Sequence, residues 1–414
     1  MIDLLIVKGT IGMPQPHHQT CLSTVTYSRF LQSKTKPTTT FVNSPITGTQ
    51  IDLQYGVEET GGSAIAIVQI RIALASATVG DNFVHAGLET VSKEVKCAAL
   101  LIKISLTVLG FKPEEVSLFM KTAAAVLLEL TWHTATASNR ARLSAQRRTK
   151  GFFKAQLLLS GRHDMSVCGV SYREDNGKPG LLVTLKSGDA LRQYGKADEI
   201  SSRKKSSRKG RSKFGLAKID RQIVVSVIEH HVRNEVLAGE ATLQNLGSSH
   251  PGSWTAETLK QVIDCVWEQA GFTPKSLPAD TELSPEAEAT WQRHCDGVDM
   301  SKELSASTFS RHRASIKLAK GEDIAGRRKA RAVRADHLGY QHCYARRWNP
   351  AGDMRKAALC EVTAPAIIEE LERGLAFIQS GTVPAIEDAE ERGQWLGRWT
   401  AFVAREGGRR HEAK

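Results

Sequence analysis

The chain has few aromatic residues, no paired cysteines and no long apolar run. Phe, Trp and Tyr make up 6% of its 414 residues, and no stretch approaches the ~18 uninterrupted apolar residues of a membrane span. Its seven cysteines (21, 97, 168, 265, 295, 343 and 360) form no C-x-x-C pair. An odd, scattered set argues against a disulfide frame and against a zinc ribbon. No His-hydrophobe-His triplet occurs. The adjacent pairs His17-His18 and His230-His231 would point to opposite faces of a strand, so no histidine is assigned as a metal ligand. There is no internal repeat. Acidic residues are the minority: 44 Asp and Glu stand against 56 Lys and Arg, a net charge of +12. That excess favours a polyanionic partner. An acidic membrane face is the weaker candidate, because no basic amphipathic helix carries an aromatic apolar side.

What is present is an ordinary globular composition, 41% apolar and 24% charged, long enough for two domains. The apolar N-terminal run, interrupted by Asp3, reads as a first strand and not as a signal peptide. The expected location is therefore the cytoplasm. Residues 38–42, 50–55 and 68–72 have β-rich composition between turn residues. Apolar spacing predicts an amphipathic helix over 88–109, closed by Gly110. Val126–Trp132 alternates, with Val126, Leu128, Leu130 and Trp132 on one face and Glu129, Thr131 and His133 on the other. Residues 138–158 suit a basic helix. The runs 181–185 and 191–194 pair across a Ser187-Gly188-Asp189 turn, and 224–237 is extended.

The fold class expected is α+β: an N-terminal domain (1–247) with a central, mostly antiparallel sheet and flanking helices, then a mainly helical C-terminal region (254–414). Gly247–Ser253 marks the junction. Helices are expected over 256–271, 307–320 and 364–380, with 273–285 as a Pro-containing connector.

Several constellations carry chemistry. Glu129 is a carboxylate in an otherwise apolar strand, where a charge needs a partner. His231, Arg233 and Glu235 share one face of the extended run; an ordinary Arg/Glu pair is the plain alternative. Residues 201–213 pack seven cations, Arg203, Lys204, Lys205, Arg208, Lys209, Arg211 and Lys213, into thirteen positions without an apolar side chain. This suits a phosphate-gripping loop; if about six phosphates are neutralised, log K falls with log salt at a slope of about −5. Arg311 and Arg313 lie on a basic helix preceded by capping Ser and Thr residues.

These segments together resemble the replication initiators of filamentous phages and plasmids. The strand 68–72, running through small residues into Gly80-Asp81-Asn82-Phe83-Val84-His85-Ala86-Gly87, is similar to their strand and G-H-N-hydrophobic-G turn. Asp81 stands where the family has His, and Thr78 where it has Lys. Leu127–Trp132 resembles their R-I-D-x-T strand with Glu129 in place of Asp. Arg233-Asn234-Glu235 resembles R-F-E. Tyr194, Lys196 and Glu199 match Y-x-K-x-x-E-L, and Thr308–Arg313 resembles the T-hydrophobic-x-R-H-R helix of the family's C-terminal X region, most clearly within 301–330.

The resemblance implies a metal-dependent site-specific endonuclease and strand transferase. It would nick and rejoin one DNA strand at an origin through a phosphotyrosine, so that rolling-circle replication begins. Tyr194 would be the nucleophile, with Tyr172 second, and Lys196 a charge stabiliser. Glu129, Glu235 and Glu199 would hold Mg²⁺ or Mn²⁺. Arg203–Lys213, Arg233, Arg311 and Arg313 would hold DNA. Partners would be origin DNA and the host polymerase and helicase. Tyr340 and Tyr344 fit DNA stacking or packing. The other reading is a non-catalytic DNA-binding replication regulator, or a decayed prophage copy.

Overall fold

The computed structural model describes residues 2–21, 40–79, 91–135, 142, 143, 146, 149, 167–175, 178–195, 197–198, 231–270, 283–295, 298–320, 324–325 and 364–408. The Gly80–Gly87 turn, Lys196, Glu199, the cationic run 201–213, Tyr340 and Tyr344 lie outside them.

The α+β reading holds. Among the described residues, nine strands form one antiparallel sheet: β1 (Ile2–Gly12), β2 (Thr40–Asn43), β3 (Gln50–Thr60), β4 (Ser63–Ala73), β5 (Ala124–Ala135), β6 (Val167–Asp175), β7 (Lys178–Leu185), β8 (Ala190–Gly195) and β9 (His231–Gly239). Their order across the sheet is β2-β3-β4-β1-β5-β9-β8-β7-β6. Strands far apart in sequence, β1, β5 and β9, are therefore neighbours at its centre.

Period-two patterning sets which side of each strand is apolar. In β1, Leu5, Val7 and Ile11 are buried on the inner face. Gly9 shares that face because Phe119 packs over it: a Cβ there would lie 2.8 Å from the ring. The alternation fails at Ile2 and Asp3, both buried, where the pairing of β1 with β5 shifts register between Ile2 and Leu4. In β5, Leu128 and Leu130 face the core while Glu129 and Thr131 face the other way. In β9, Val232, Val236 and Ala238 face the core. Asn234 joins them, accepting from Gln193 Nε2 of β8 at 2.9 Å.

The turn at 187–189 forms as its residues dictate. Gly188 takes φ 87°. Asp189, almost fully buried, accepts from the Gly239 N–H at 2.7 Å, from Thr242 Oγ1 at 2.6 Å and from Ser187 Oγ at 2.8 Å. One carboxylate thus ties the β7–β8 hairpin to the end of β9.

The expected helix over 88–109 is Val91–Val108. Gly110 ends it at φ 90°, with the Phe111 N–H donating to Leu106 O at 3.1 Å. Its middle, Leu100 to Leu106, is buried on more sides than an amphipathic stripe provides. The cause is long-range: helices Ala364–Ser380 and Ala389–Gly408 pack on it. The latter carries Trp395, Trp399 and Phe402 into the same core. Glu370 accepts both indole N–H groups, from Trp395 at 3.0 Å and from Trp399 at 2.8 Å. Glu406, wholly buried, accepts from Asn43 Nδ2 at 3.0 Å and so fastens the last described helix to β2.

The hydrophobic core runs through the expected junction at 247–254. Trp254 and the helix Ala256–Gln269 belong to the cluster formed by the sheet. A second, smaller cluster is separate: Met300, Ile316 and Ile324, with Trp291, Leu304 and Phe309 packed against them, hold helices Pro285–Cys295, Met300–Glu303 and Ala306–Lys320 together. No described helix is long and apolar enough to cross a membrane.

Candidate active site

Four adjacent strands, β1, β5, β9 and β8, converge polar side chains on the face opposite the core. Pairing places Thr131 opposite Glu235, Arg192 opposite Glu235 and Tyr194 opposite Arg233. Glu129 lies two residues along β5 on the same face. The irregularity at the start of β1 adds Asp3 to the group. Carboxylate oxygens of Asp3, Glu129 and Glu235 lie within 4.8 Å of one another, and all three residues are buried.

Glu235 is the hub. Its Oε1 accepts from the Tyr194 hydroxyl at 2.6 Å and from Arg233 Nε at 2.6 Å. Its Oε2 accepts from Arg192 Nη1 at 2.7 Å. Arg233 also donates through Nη2 to Asp3 Oδ2, and its guanidinium carbon stands 5.9 Å from the centroid of the Tyr194 ring. Burial disfavours the charge on Arg233, but Tyr194, Asp3 and Glu235 outweigh it and raise the pKa.

Glu129 differs from its neighbours. It is 8% exposed and has no hydrogen-bonded or ion-paired partner among the described residues. Burial, and then the like charges of Glu235 and Asp3, push its carboxyl up to about 7, against the partial relief of Arg192 and Arg233. Among the described residues, two arginines, Arg192 and Arg233, face these three carboxylates.

Such a group requires a proton or a cation. The donor set of Asp3, Glu129 and Glu235 is all oxygen and buried, which suits Mg²⁺ or Mn²⁺. These residues fit the divalent ion that the resemblance implies.

The structure thus brings together Tyr194, Glu129 and Glu235 of the expected site. Arg233, expected to hold DNA, is corrected: its side chain is wholly buried and committed to Asp3 and Glu235. Arg192 instead reaches the surface beside Tyr194, its side chain 42% exposed. Asp3 and Arg192 were not singled out as site residues from the sequence. The signal for Asp3 was an acid within an apolar first strand. For Arg192 it was a cation two residues from Tyr194, on the same face of β8. Within the expected basic helix, positions 142, 143, 146 and 149 are helical. Arg142 is buried there against Asp198 at 2.8 Å, above Gly195. Tyr172 lies in β6, one strand removed from β8.

A second polar cluster sits elsewhere. His17 and His18 lie on the short helix Pro16–Cys21, not on a strand, so both rings reach Glu115, His17 Nε2 at 2.9 Å and His18 Nε2 at 2.8 Å. His18 Nδ1 accepts the Gln15 N–H at 3.1 Å, which leaves the ring proton on Nε2 to donate to Glu115. Burial would raise the Glu115 carboxyl; the Lys112 N–H and the two imidazoles hold it below its ordinary value. Glu115 belongs to the helix Pro113–Thr122, so these hydrogen bonds tie that helix to Pro16–Cys21.

Comparison with protein-family models, with curated proteins and with solved structures finds no match.

Proposed function

We propose that this chain nicks and rejoins one DNA strand at a phage or plasmid origin through a phosphotyrosine on Tyr194, in a reaction that depends on Mg²⁺ or Mn²⁺. The observation that carries the reading is the Tyr194 hydroxyl donating to Glu235, within the cluster that also holds Glu129 and Asp3. Glu235 stands where it can take the phenolic proton as Tyr194 Oη bonds to phosphorus. The 3′ oxygen leaves as the new P–O bond forms, and the free 3′ end is then available to a host polymerase. The tyrosyl ester keeps the strand's 5′ phosphate activated, so attack by a 3′ hydroxyl reverses the step without ATP. Arg192, held by Glu235 and partly exposed, is placed to offset charge on the phosphate oxygens. Asp3, Glu129 and Glu235 would hold the divalent ion, which when bound neutralises phosphate charge. Lys196 and Glu199 of the Y-x-K-x-x-E-L match remain candidate contributors by resemblance.

The test is a denaturing gel of the protein incubated with single-stranded DNA from the replicon that carries its gene, with and without Mn²⁺. A covalent protein–DNA band is expected only with the metal, and none with Tyr194→Phe. A wild-type protein that binds this DNA yet forms no band would leave the non-catalytic regulator in its place.

A further inference from the structure

We infer that the helix Ala306–Lys320 is a reader of duplex DNA that lies in the major groove; this rests on the proposal that the chain acts on DNA. The rotation of the helix is fixed by what it buries. Phe309, His312 and Ile316 stand at i, i+3 and i+7. Ile316 is fully buried with Met300 and Ile324, and Phe309 packs against that cluster. His312 Nδ1 lies 2.8 Å from Thr290 Oγ1 on the helix Pro285–Cys295. Among the residues whose side chains are described, the opposite face is Ser307, Ser310, Arg311, Ala314 and Ser315, all exposed.

That outer face has the shape and charge a groove selects. Four of its five residues are Ser or Ala, so the helix backbone can come close to base edges. Arg311 is the long side chain among these five, and a guanidinium fork matches the paired acceptors of guanine. The helix carries Arg311, Arg313, Lys317 and Lys320 and no acid anywhere along its length. The acids nearby lie on other helices: Glu286 is held below its ordinary value by Ser284, its own backbone N–H and, more weakly, by the charges of His312 and Arg311, Glu303 pairs with Arg293 at 2.6 Å, and Glu288 accepts from Gln292 at 3.0 Å. The N-terminus is closed by Ser305 Oγ, which accepts the Thr308 N–H at 3.3 Å. A helix of about 10–12 Å diameter fits the ~12 Å major groove. No aromatic ring occupies the outer face, so it offers no platform on which a single strand could stack. Duplex is therefore the occupant. The unit has its own small cluster of buried residues, apart from the sheet core, as a separate reading element would.

Full-length protein is titrated with a labelled mixed-sequence duplex and with one of its single strands, by fluorescence anisotropy. Ser310→Glu and Ala314→Glu place a negative charge on the outer face at exposed positions. Each is expected to weaken duplex binding by roughly tenfold or more, to leave single-strand binding as it was, and to keep the wild-type circular-dichroism spectrum. Arg311→Gln, which adds no repulsion, should lower duplex affinity and make the salt slope shallower by about one. Unchanged duplex affinity in these variants, or equal losses on duplex and single strand, would overturn the inference. The covalent-adduct gel scores the nicking proposal separately, because a protein that forms no adduct can still show the duplex-specific loss.

Discussion

Replacing Glu129 by Gln should make the protein more stable, and only above about pH 5. In the folded state this carboxyl is held up to about 7, from an ordinary value of 4.5, by burial beside Glu235 and Asp3. Below pH 4.5 it is protonated whether the chain is folded or not and contributes nothing. Between 4.5 and 7 the folded state binds a proton that the unfolded state has lost, so stability falls as pH rises through that window. At about 1.4 kcal/mol per pH unit, the full penalty reaches about 3 kcal/mol at pH 8. Gln has nearly the same shape and no proton to lose, so the penalty disappears.

The assay is urea unfolding of wild type and Glu129→Gln at intervals from pH 5 to pH 8.5. The difference between the two curves should grow with pH in favour of the variant. Any hydrogen bond the new amide gains shifts the variant's whole curve and leaves the slope of the difference intact. Excess Mn²⁺ should flatten the wild-type profile, because a cation supplies the charge that the proton otherwise supplies, and it should do little for the variant. Parallel pH profiles with a constant offset would refute the reasoning. They would mean that Glu129 ionises as an ordinary surface carboxylate.

Asp3→Asn removes one of the three charged ligands and should weaken Mn²⁺ binding, read by electron paramagnetic resonance titration, by about tenfold or more. Gly374→Ala should destabilise the fold by about 1–3 kcal/mol through overpacking, since its Cβ would meet the Trp399 ring at 2.0 Å; a partial recovery of the urea midpoint is expected when Trp399→Leu is added. Asp189→Ala strips acceptors from the Gly239 N–H and the Thr242 hydroxyl; a loss of about 1–3 kcal/mol for each donor left unsatisfied is expected in the same unfolding assay.

Local patterning made much of the sheet legible. The alternation in β5, the Gly188 turn between β7 and β8, and the apolar first strand each depend on residues within one hairpin's reach. The helices Ala256–Gln269, Ala306–Lys320 and Ala364–Ser380 announced themselves by spacing. The last described helix had a readable signal as well, Trp395, Trp399 and Phe402 at i, i+4 and i+7, which was not picked out. Pro285–Cys295 was harder: it is polar, and it begins at the proline taken to end a connector. The histidine pair shows the cost of a wrong local assumption. Adjacent residues diverge on a strand, but on a helix they are about 100° apart, close enough for both rings to reach one carboxylate.

Sheet order carried what spacing could not. Nothing near residue 3 indicates that β1 would lie between β4 and β5, or that a register shift would turn an acid toward β9. Asp3 reads in isolation as a flaw in an apolar strand; among its neighbours it is the third carboxylate of the site. Arg233 reverses in the opposite sense. Its motif suggested a cation offered to DNA. In the fold its side chain is wholly buried, and the guanidinium is spent on Asp3 and Glu235. Its removal would take this ion pair from Asp3 and leave Glu235 with Arg192. Arg233 is therefore expected to govern whether the cluster forms, and the exposed Arg192 to govern how a phosphate is met.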